Sequence, residues 1–382
     1  MAVLREHQAE AVELGHPVRE EGLAYQREIE RPLVSELWVI RRTKNKSRAE
    51  EMARRTGLHL TWLNEVPGLN GENGVEKLHA ERGILLLRDR KSPFIEQFQH
   101  PIGRCAKFYK LTAYNNCNFW CEYCYLYLTF RTQPISTHFI NYEKMYDEIE
   151  RFDRSRIPKS LRVLNLGELG DPLAVDYITG FARQVIPFMP KQAPRTRLLF
   201  LTKSDCVDDI LDLEHGHQSI ISFSVNTDKV FEHLEHRTPS PEARLTAAAK
   251  VQRAGYEVRL RIDPIIFYST WEKDYRKLVN RIFQFVQPAR ITLGEYRPSN
   301  GLANHISLRF PESPLLCIHK GLVKEGGKLR YHREQRVNMF QTIVEQIRKN
   351  EPSATISLCK EPPEVWRTVG IDMRTLSCNC LG

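Results

Sequence analysis

The chain has 382 residues, enough for one large domain with appendages or two modest ones. Hydrophobic residues are 41% and charged residues 27%, which suits a globular protein, and no apolar run reaches membrane-spanning length, so no membrane partner is expected. The net charge of +9 leaves two readings open, a solvated surface or attraction to a polyanion. Arg41-Arg42-Thr43-Lys44-Asn45-Lys46 and Lys328-Leu-Arg330-Tyr-His-Arg333 are its dense runs. Charges at Arg5 and Glu6 stand where a signal peptide needs an apolar core, so a cytoplasmic location is expected. Nine cysteines, an odd count, argue against a disulfide framework. Cys105, Cys206 and Cys317 are isolated and read as small hydrophobes.

In chain order, residues 1–100 read as a small α/β region, with strands at 33–40 and 84–87 and a helix at 47–56. From about 105 strands alternate with helices. Strands are expected at 108–112, 162–166, 197–202, 220–225, 258–262 and 290–293. Helices are expected at 142–152, 176–188, 241–254 and 271–285; Pro241 opens the third and Gly255 follows its end. Such alternation implies a parallel sheet, complete or partial as a barrel, with the chemistry at the strands' carboxyl ends. Residues 331–382 follow as an extension, a helix over 334–350 and an irregular segment carrying Cys359, Cys378 and Cys380.

The chemistry-bearing motif is Cys117-Asn-Phe-Trp-Cys121-Glu-Tyr-Cys124-Tyr125. Three thiolates spaced in this way can hold three irons of a [4Fe–4S] cube and leave the fourth open. An open iron can chelate the amino and carboxylate groups of S-adenosylmethionine (SAM) and reduce its sulfonium, generating a 5′-deoxyadenosyl radical. Zinc is the alternative, but it prefers a fourth protein ligand, which no nearby His or second cysteine pair provides here.

From these residues onward the chain resembles the spore photoproduct lyase family, radical SAM enzymes of DNA repair. The resemblance is carried by Cys121-Glu-Tyr123-Cys124-Tyr125-Leu126, Leu201-Thr-Lys203, Phe223-Ser224-Val-Asn226, the stretch from Phe231 to Ser240, and that from Arg244 to Tyr256. It implies an incomplete (β/α)6 TIM-type barrel spanning 101–330. It implies Tyr123 and Tyr125 as a radical-relay pair, and Lys203, Ser224 and Asn226 as SAM contacts. It also implies an electron donor such as flavodoxin or ferredoxin, and DNA or a nucleoside as substrate.

Two departures stand out. The family's hydrogen-donating cysteine is replaced, on the register of Asp171, by Glu168 within Asn165-Leu-Gly167-Glu168-Leu-Gly170-Asp171-Pro172. Gly167-Glu168 resembles the wider superfamily's element whose carboxylate binds the SAM ammonium. The second departure is the set Cys359, Cys378 and Cys380, which resembles the auxiliary-cluster tails of other radical SAM enzymes and makes a second iron–sulfur cluster the expectation. Two other functions stay open: a radical SAM maturase for a peptide or small metabolite, and a non-catalytic, metal-stabilised nucleic-acid-binding module.

Overall fold

The computed structural model describes residues 13–14, 33–66, 83–98, 107–373 and 378–382. Cys105 and the first twelve residues lie outside them. The first strands are β1 (Glu36–Ile40), β2 (His59–Leu63), β3 (Ile84–Arg88), β4 (Ile95–Phe98), β5 (Phe108–Leu111), β6 (Tyr114–Asn115), β7 (Trp120–Cys121) and β8 (Ser136–Phe139). Then come β9 (Val163–Asn165), β10 (Arg197–Thr202), β11 (Ser219–Ser224), β12 (Glu235–His236), β13 (Glu257–Ile265) and β14 (Arg290–Glu295). The last are β15 (Val323–Glu325), β16 (Lys328–Arg330) and β17 (Ile356–Leu358).

Two sheets form the framework of a mixed α/β fold. The smaller has the order β2-β1-β3-β8-β6, and the larger β17-β14-β13-β11-β10-β9-β5-β4. Every pair in the larger sheet is parallel except β4 with β5. The strands cross both boundaries drawn from sequence. β6 and β8 complete the sheet begun by β1, whereas β4 and β17 join the larger sheet from either side.

One face of the larger sheet is predominantly apolar. Leu198, Phe200, Ile221, Phe223, Val258, Leu260, Ile262 and Leu293 alternate along their strands and belong to the main core. The helices Phe181–Gln192, Pro241–Arg253 and Trp271–Phe285 add their buried apolar faces to it. The opposite positions include Asn165, Ser222, Ser224, Arg259, Arg261 and Asp263, all of low exposure yet polar, beside a small apolar cluster of Val163, Leu199 and Ile220. Parallel strands covered on both faces are usually apolar throughout. The buried polar residues of this second face therefore mark an interior with work beyond packing.

The sheet is open, with β4 and β17 at its edges. The final segment lies against its polar face. Arg259 donates to the carbonyls of Asn379 and Leu381, each at 2.6 Å. Asn379 Nδ2 donates to Ser222 Oγ at 2.7 Å, and Arg290 reaches the Cys378 carbonyl at 3.0 Å. Among the described residues, no helix is long and apolar enough to cross a membrane.

Candidate active site

The cysteine loop leaves the carboxyl end of β5 and is clamped by the stretch around β12. Cys121 pairs with Glu235 and Trp120 with His236 in a short antiparallel ladder. The Glu122 amide donates to the Leu234 carbonyl at 2.9 Å, and His236 Nε2 meets the Glu122 carboxylate at 2.7 Å. Tyr123 donates its hydroxyl hydrogen to Glu235, which forms a fully buried ion pair with Arg244 at 2.5 Å. Asn116, at φ 64°, turns the chain into the loop and bridges to Gly170. A Cβ on Gly170 would stand 2.6 Å from the Asn116 carbonyl oxygen, so only glycine permits this approach.

Burial pushes all three loop thiols up. Cys117 feels Cys121 and Cys124, so the three are mutual neighbours. Backbone N–H groups of Phe119 and Leu126 point at the Cys117 and Cys124 sulfurs, and Lys203 draws Cys121 and Cys124 toward the thiolate form. Arg244 also lowers Cys121 and Arg309 also lowers Cys124. Thiols with backbone amide donors and nearby cations fit iron–sulfur ligation. Among the described residues, no three His, Cys, Asp or Glu side chains are grouped as the ligands of a single metal ion. A cube takes one thiolate per iron and spreads its ligands more widely.

Lys203 follows β10 directly. Asp171 fixes this strand end: it accepts from Thr202 Oγ1 and the Lys203 amide at 2.7 Å, and from the Leu173 and Ala174 amides at 3.0 Å. The Lys203 ammonium donates to Ser224 Oγ at 3.0 Å and lies 5.5 Å from the centroid of the Tyr123 ring. Cysteine loop, Tyr123, Lys203 and Ser224 thus form one constellation at the carboxyl ends of β5, β10 and β11.

Asn226 is near by but committed elsewhere. Its Oδ1 accepts from Tyr275 Oη at 2.9 Å and the Thr227 amide at 3.0 Å, and its Nδ2 donates to the Pro264 carbonyl at 2.7 Å. Only one N–H is left for any ligand. Tyr125 is 45% exposed and donates its hydroxyl hydrogen to the Glu168 carbonyl. The Glu168 side chain is half-buried and close enough to Arg261 to raise the affinity of that guanidinium for its proton.

The tail cysteines reach the polar face of the same sheet. Arg261 and Arg297 donate to Cys359 Sγ at 3.4 and 3.3 Å, and Asn165 Nδ2 donates to Cys380 Sγ at 3.5 Å. Cys378 and Cys380, both free thiols, are hydrogen-bonded to each other, which lowers the Cys378 thiol to about 6 and raises Cys380. Here the sulfur lone pairs face guanidinium and amide side chains. In the first loop the donors come from the backbone.

Sequence reading assigned no role to Glu235, Arg244, Arg261, Asp263 or Arg297. A signal existed in Glu257-Val-Arg259-Leu-Arg261-Ile-Asp263, where charge alternates with apolar residues inside a parallel strand.

A family model described as spore photoproduct lyase matches residues 35–359. The spore photoproduct lyase of Geobacillus sp. (strain Y412MC61) is 26% identical over 303 residues, covering 77% of this chain and 87% of that protein. That of Bacillus subtilis (strain 168) is 27% identical over 219 residues, covering 57% of this chain and 62% of that protein. A solved spore photoproduct lyase complexed with dinucleoside spore photoproduct superposes with a TM-score of 0.76 at 23% identity, covering 85% of this chain and 98% of the other. A mutant lyase with bound AdoMet and the same dinucleoside gives 0.75 at 22% identity, with the same coverage of each chain. At these identities the structural likeness speaks for the fold alone. The family match is wider than the motifs between Cys121 and Tyr256 that carry the resemblance in sequence, and it covers most of the chain. This chain belongs to the spore photoproduct lyase family, radical SAM lyases of DNA repair.

Proposed function

We propose that this protein binds a [4Fe–4S] cluster through Cys117, Cys121 and Cys124, binds SAM at the open iron, and acts on a thymine photolesion in DNA. The observation that carries this is the convergence of three thiols, Cys121 buried and Cys117 and Cys124 half-buried, with Lys203 and Ser224 at one end of the parallel strands. In this reading β5, β9, β10, β11, β13 and β14 are the six strands of an incomplete barrel, and the protein works in the cytoplasm with a flavodoxin- or ferredoxin-like donor.

When bound, the cluster and SAM supply hydrogen abstraction from carbon; the rest falls to the side chains. Lys203 offers a cation to the SAM carboxylate, and Glu168 an anion to its ammonium. Ser224 orients Lys203 through their hydrogen bond. Asn226 supports the turn after β11 and is a positioning residue, because its amide is engaged within the fold. Tyr123, hydrogen-bonded to a buried carboxylate, has an acceptor for its proton when it gives up an electron. Tyr125 presents an exposed ring to the substrate side. Glu168 cannot return a hydrogen atom as a thiol can. The tail thiols are read as held by protein donors and not as ligands of a second cluster.

Anaerobic incubation with SAM and dithionite tests the reading. Release of 5′-deoxyadenosine should accompany loss of the lesion from ultraviolet-irradiated DNA. SAM cleavage with the lesion left intact would instead favour the peptide or metabolite maturase. Iron-free protein without cleavage would favour the non-catalytic module.

A further inference from the structure

Around the cysteine loop, Arg244 and Lys203 are answered within the protein. Arg244 pairs with the Glu235 carboxylate, and Lys203 donates to Ser224 Oγ with the Asp171 carboxylate near by. Arg309, the last residue of the helix Leu302–Arg309, has no such partner. It is only 6% exposed, yet its Nε makes no hydrogen bond among the described residues, and its Nη1 donates to the His305 carbonyl at 3.2 Å. Burial works against its charge, and the groups that favour that charge are Tyr127 and Cys124, not a carboxylate. His305 supplies no anion: burial, Arg309 and Arg131 all lower its affinity for a proton, and the neutral ring carries no charge.

Aromatic packing fixes this guanidinium on the loop. It lies 4.5 Å from the centroid of the Tyr127 ring and 6.0 Å from that of Trp120. The next residue, Phe310, meets Trp120 edge-on at 5.5 Å and His236 at 5.4 Å. Trp120 directly precedes Cys121. Tyr127 donates its hydroxyl hydrogen to the Cys121 carbonyl at 2.9 Å and its amide to the Cys124 carbonyl at 3.4 Å. Arg309 is thus packed on the residues that flank the last two cysteines of the motif, and all of these aromatic neighbours are buried.

A buried guanidinium is costly unless an anion answers it. The helix dipole favours a cation at this end of a helix but does not call for burial. The ring faces of Tyr127 and Trp120 supply part of the attraction. The rest is found on the loop itself, because a cube held by three thiolates is an anion, and one-electron reduction makes it more negative. A fixed cation in a site of reduced dielectric favours the more negative form. Arginine suits the task because burial does not remove its charge.

We propose that Arg309, packed on Trp120 and Tyr127 without an acid partner, is the charge partner of the cysteine loop and raises the reduction potential of the cluster held there. It makes the electron that cleaves SAM easier to accept. It touches neither SAM nor substrate and acts through the loop. This rests on the cluster reading of Cys117, Cys121 and Cys124 and deepens it, by naming the side chain that sets how readily that site is reduced.

The test is a redox titration of the loaded protein without SAM, followed by the electron paramagnetic resonance of the reduced cluster. Arg309→Met keeps an apolar stem over the two rings and removes the charge; Arg309→Lys keeps the charge. At the wild-type midpoint, the ratio of reduced to oxidised cluster should fall about ten-fold in Arg309→Met, equivalent to about 59 mV for one electron. Arg309→Lys should stay within about two-fold of the wild type. An unchanged midpoint in Arg309→Met with full iron would overturn the assignment and leave the cluster reading standing. An equal shift in both variants would overturn it too, since packing rather than charge would then be the cause. If Arg309→Met holds no iron, iron content decides: iron kept by Arg309→Lys and lost from Arg309→Gln supports the charge, and iron lost from all three variants overturns it. A wild type with no reducible cluster would remove the cluster reading and this assignment together.

Discussion

Tyr123 donates its hydroxyl hydrogen to Glu235, and Glu235 is paired with the fully buried guanidinium of Arg244. Three residues distant in sequence thus hold the central turn of the cysteine loop. Arg244 has further partners in the Pro239 and Ser224 carbonyls, at 2.9 and 3.0 Å. It joins the loop to the end of β11, where Lys203 is oriented. This explains why the family pattern is dense from Phe231 to Tyr256: the stretch is scaffold for the cluster loop.

Arg244→Met should therefore cost about 3–5 kcal/mol, the usual consequence of leaving one member of a buried pair unpartnered. Urea unfolding of the loaded protein measures it. The same variant should retain less iron after gel filtration, because the loop loses its clamp. Unchanged stability with full iron would show that the pair is replaceable by packing.

Replacing Cys117, Cys121 and Cys124 together by Ala should abolish both iron binding and SAM cleavage. Desolvation raises all three thiols, so a bound metal is what makes thiolates of them. Iron retained at the wild-type level, with 5′-deoxyadenosine still released, would show that the cluster lies elsewhere.

Lys203→Ala and Glu168→Gln should each weaken SAM binding by about ten-fold or more, since one charge-assisted contact contributes on the order of 1.5–3 kcal/mol. Anaerobic titration reads this directly. Lys203→Ala also frees Ser224 Oγ, so its effect should exceed that of Ser224→Ala, which removes only the orienting bond. Unchanged affinity in both charge variants would remove them from the SAM site.

The alternating strands and helices were legible because their apolar residues are periodic. The expected strand over 197–202 and helix over 271–285 match β10 and Trp271–Phe285 in full. The expected helix over 176–188 divides into Asp176–Thr179 and Phe181–Gln192. Gly180 adopts φ 54° there, and Arg55 packs so close that an added Cβ would meet its guanidinium at 2.4 Å. That break is set by a tertiary neighbour and leaves no local sign beyond the glycine. β8 and β17 are short and lack periodicity, and they exist because β3 and β14 pair with them. The site divides in the same way. The cysteine spacing was legible, and so was the lysine after an apolar strand. The engagement of Asn226 by Tyr275 and Pro264, and the donors on Cys359, depend on contacts that sequence does not display.

A pH dependence follows from the buried cluster that joins β14, the β15–β16 hairpin and the tail. Glu295, Glu361 and Glu325 face Arg330 and Arg336, leaving one carboxylate in excess. Burial, with Glu361 adding to it, raises Glu295 to about 7, although Arg330 and Arg336 oppose this. An unfolded glutamate titrates near about 4.3. The folded state therefore holds a proton that the unfolded state has lost, and stability should fall as pH rises from about 4.3 to about 7. Urea midpoints at about pH 5 and about pH 8 measure the loss. Glu361→Gln balances the charges and should flatten the profile; a profile as steep as that of the wild type would assign the proton to another group.

The tail offers the sharpest choice between sequence pattern and structure. Cysteine spacing alone favours a second cluster on Cys359, Cys378 and Cys380, which would bring the iron content to about eight. The donors at the sulfurs favour about four, because Cys359 faces Arg261 and Arg297 while the free thiols of Cys378 and Cys380 are hydrogen-bonded to each other. The Cys378→Ala/Cys380→Ala variant should then keep all its iron and its SAM cleavage. What it should lose is order in the final segment, since that pair sits with Phe108 and Leu381 in a small apolar cluster. Arg259→Met should do the same by a different route, leaving the Asn379 carbonyl without its buried donor at a cost of about 1–3 kcal/mol, while Arg290 still reaches the Leu381 carbonyl. Amide exchange over residues 378–382 reads both effects. About eight irons in the wild type, falling to about four in the double cysteine variant, would restore the second cluster. In that case the Arg261 and Arg297 donors would have to leave Cys359 when iron binds.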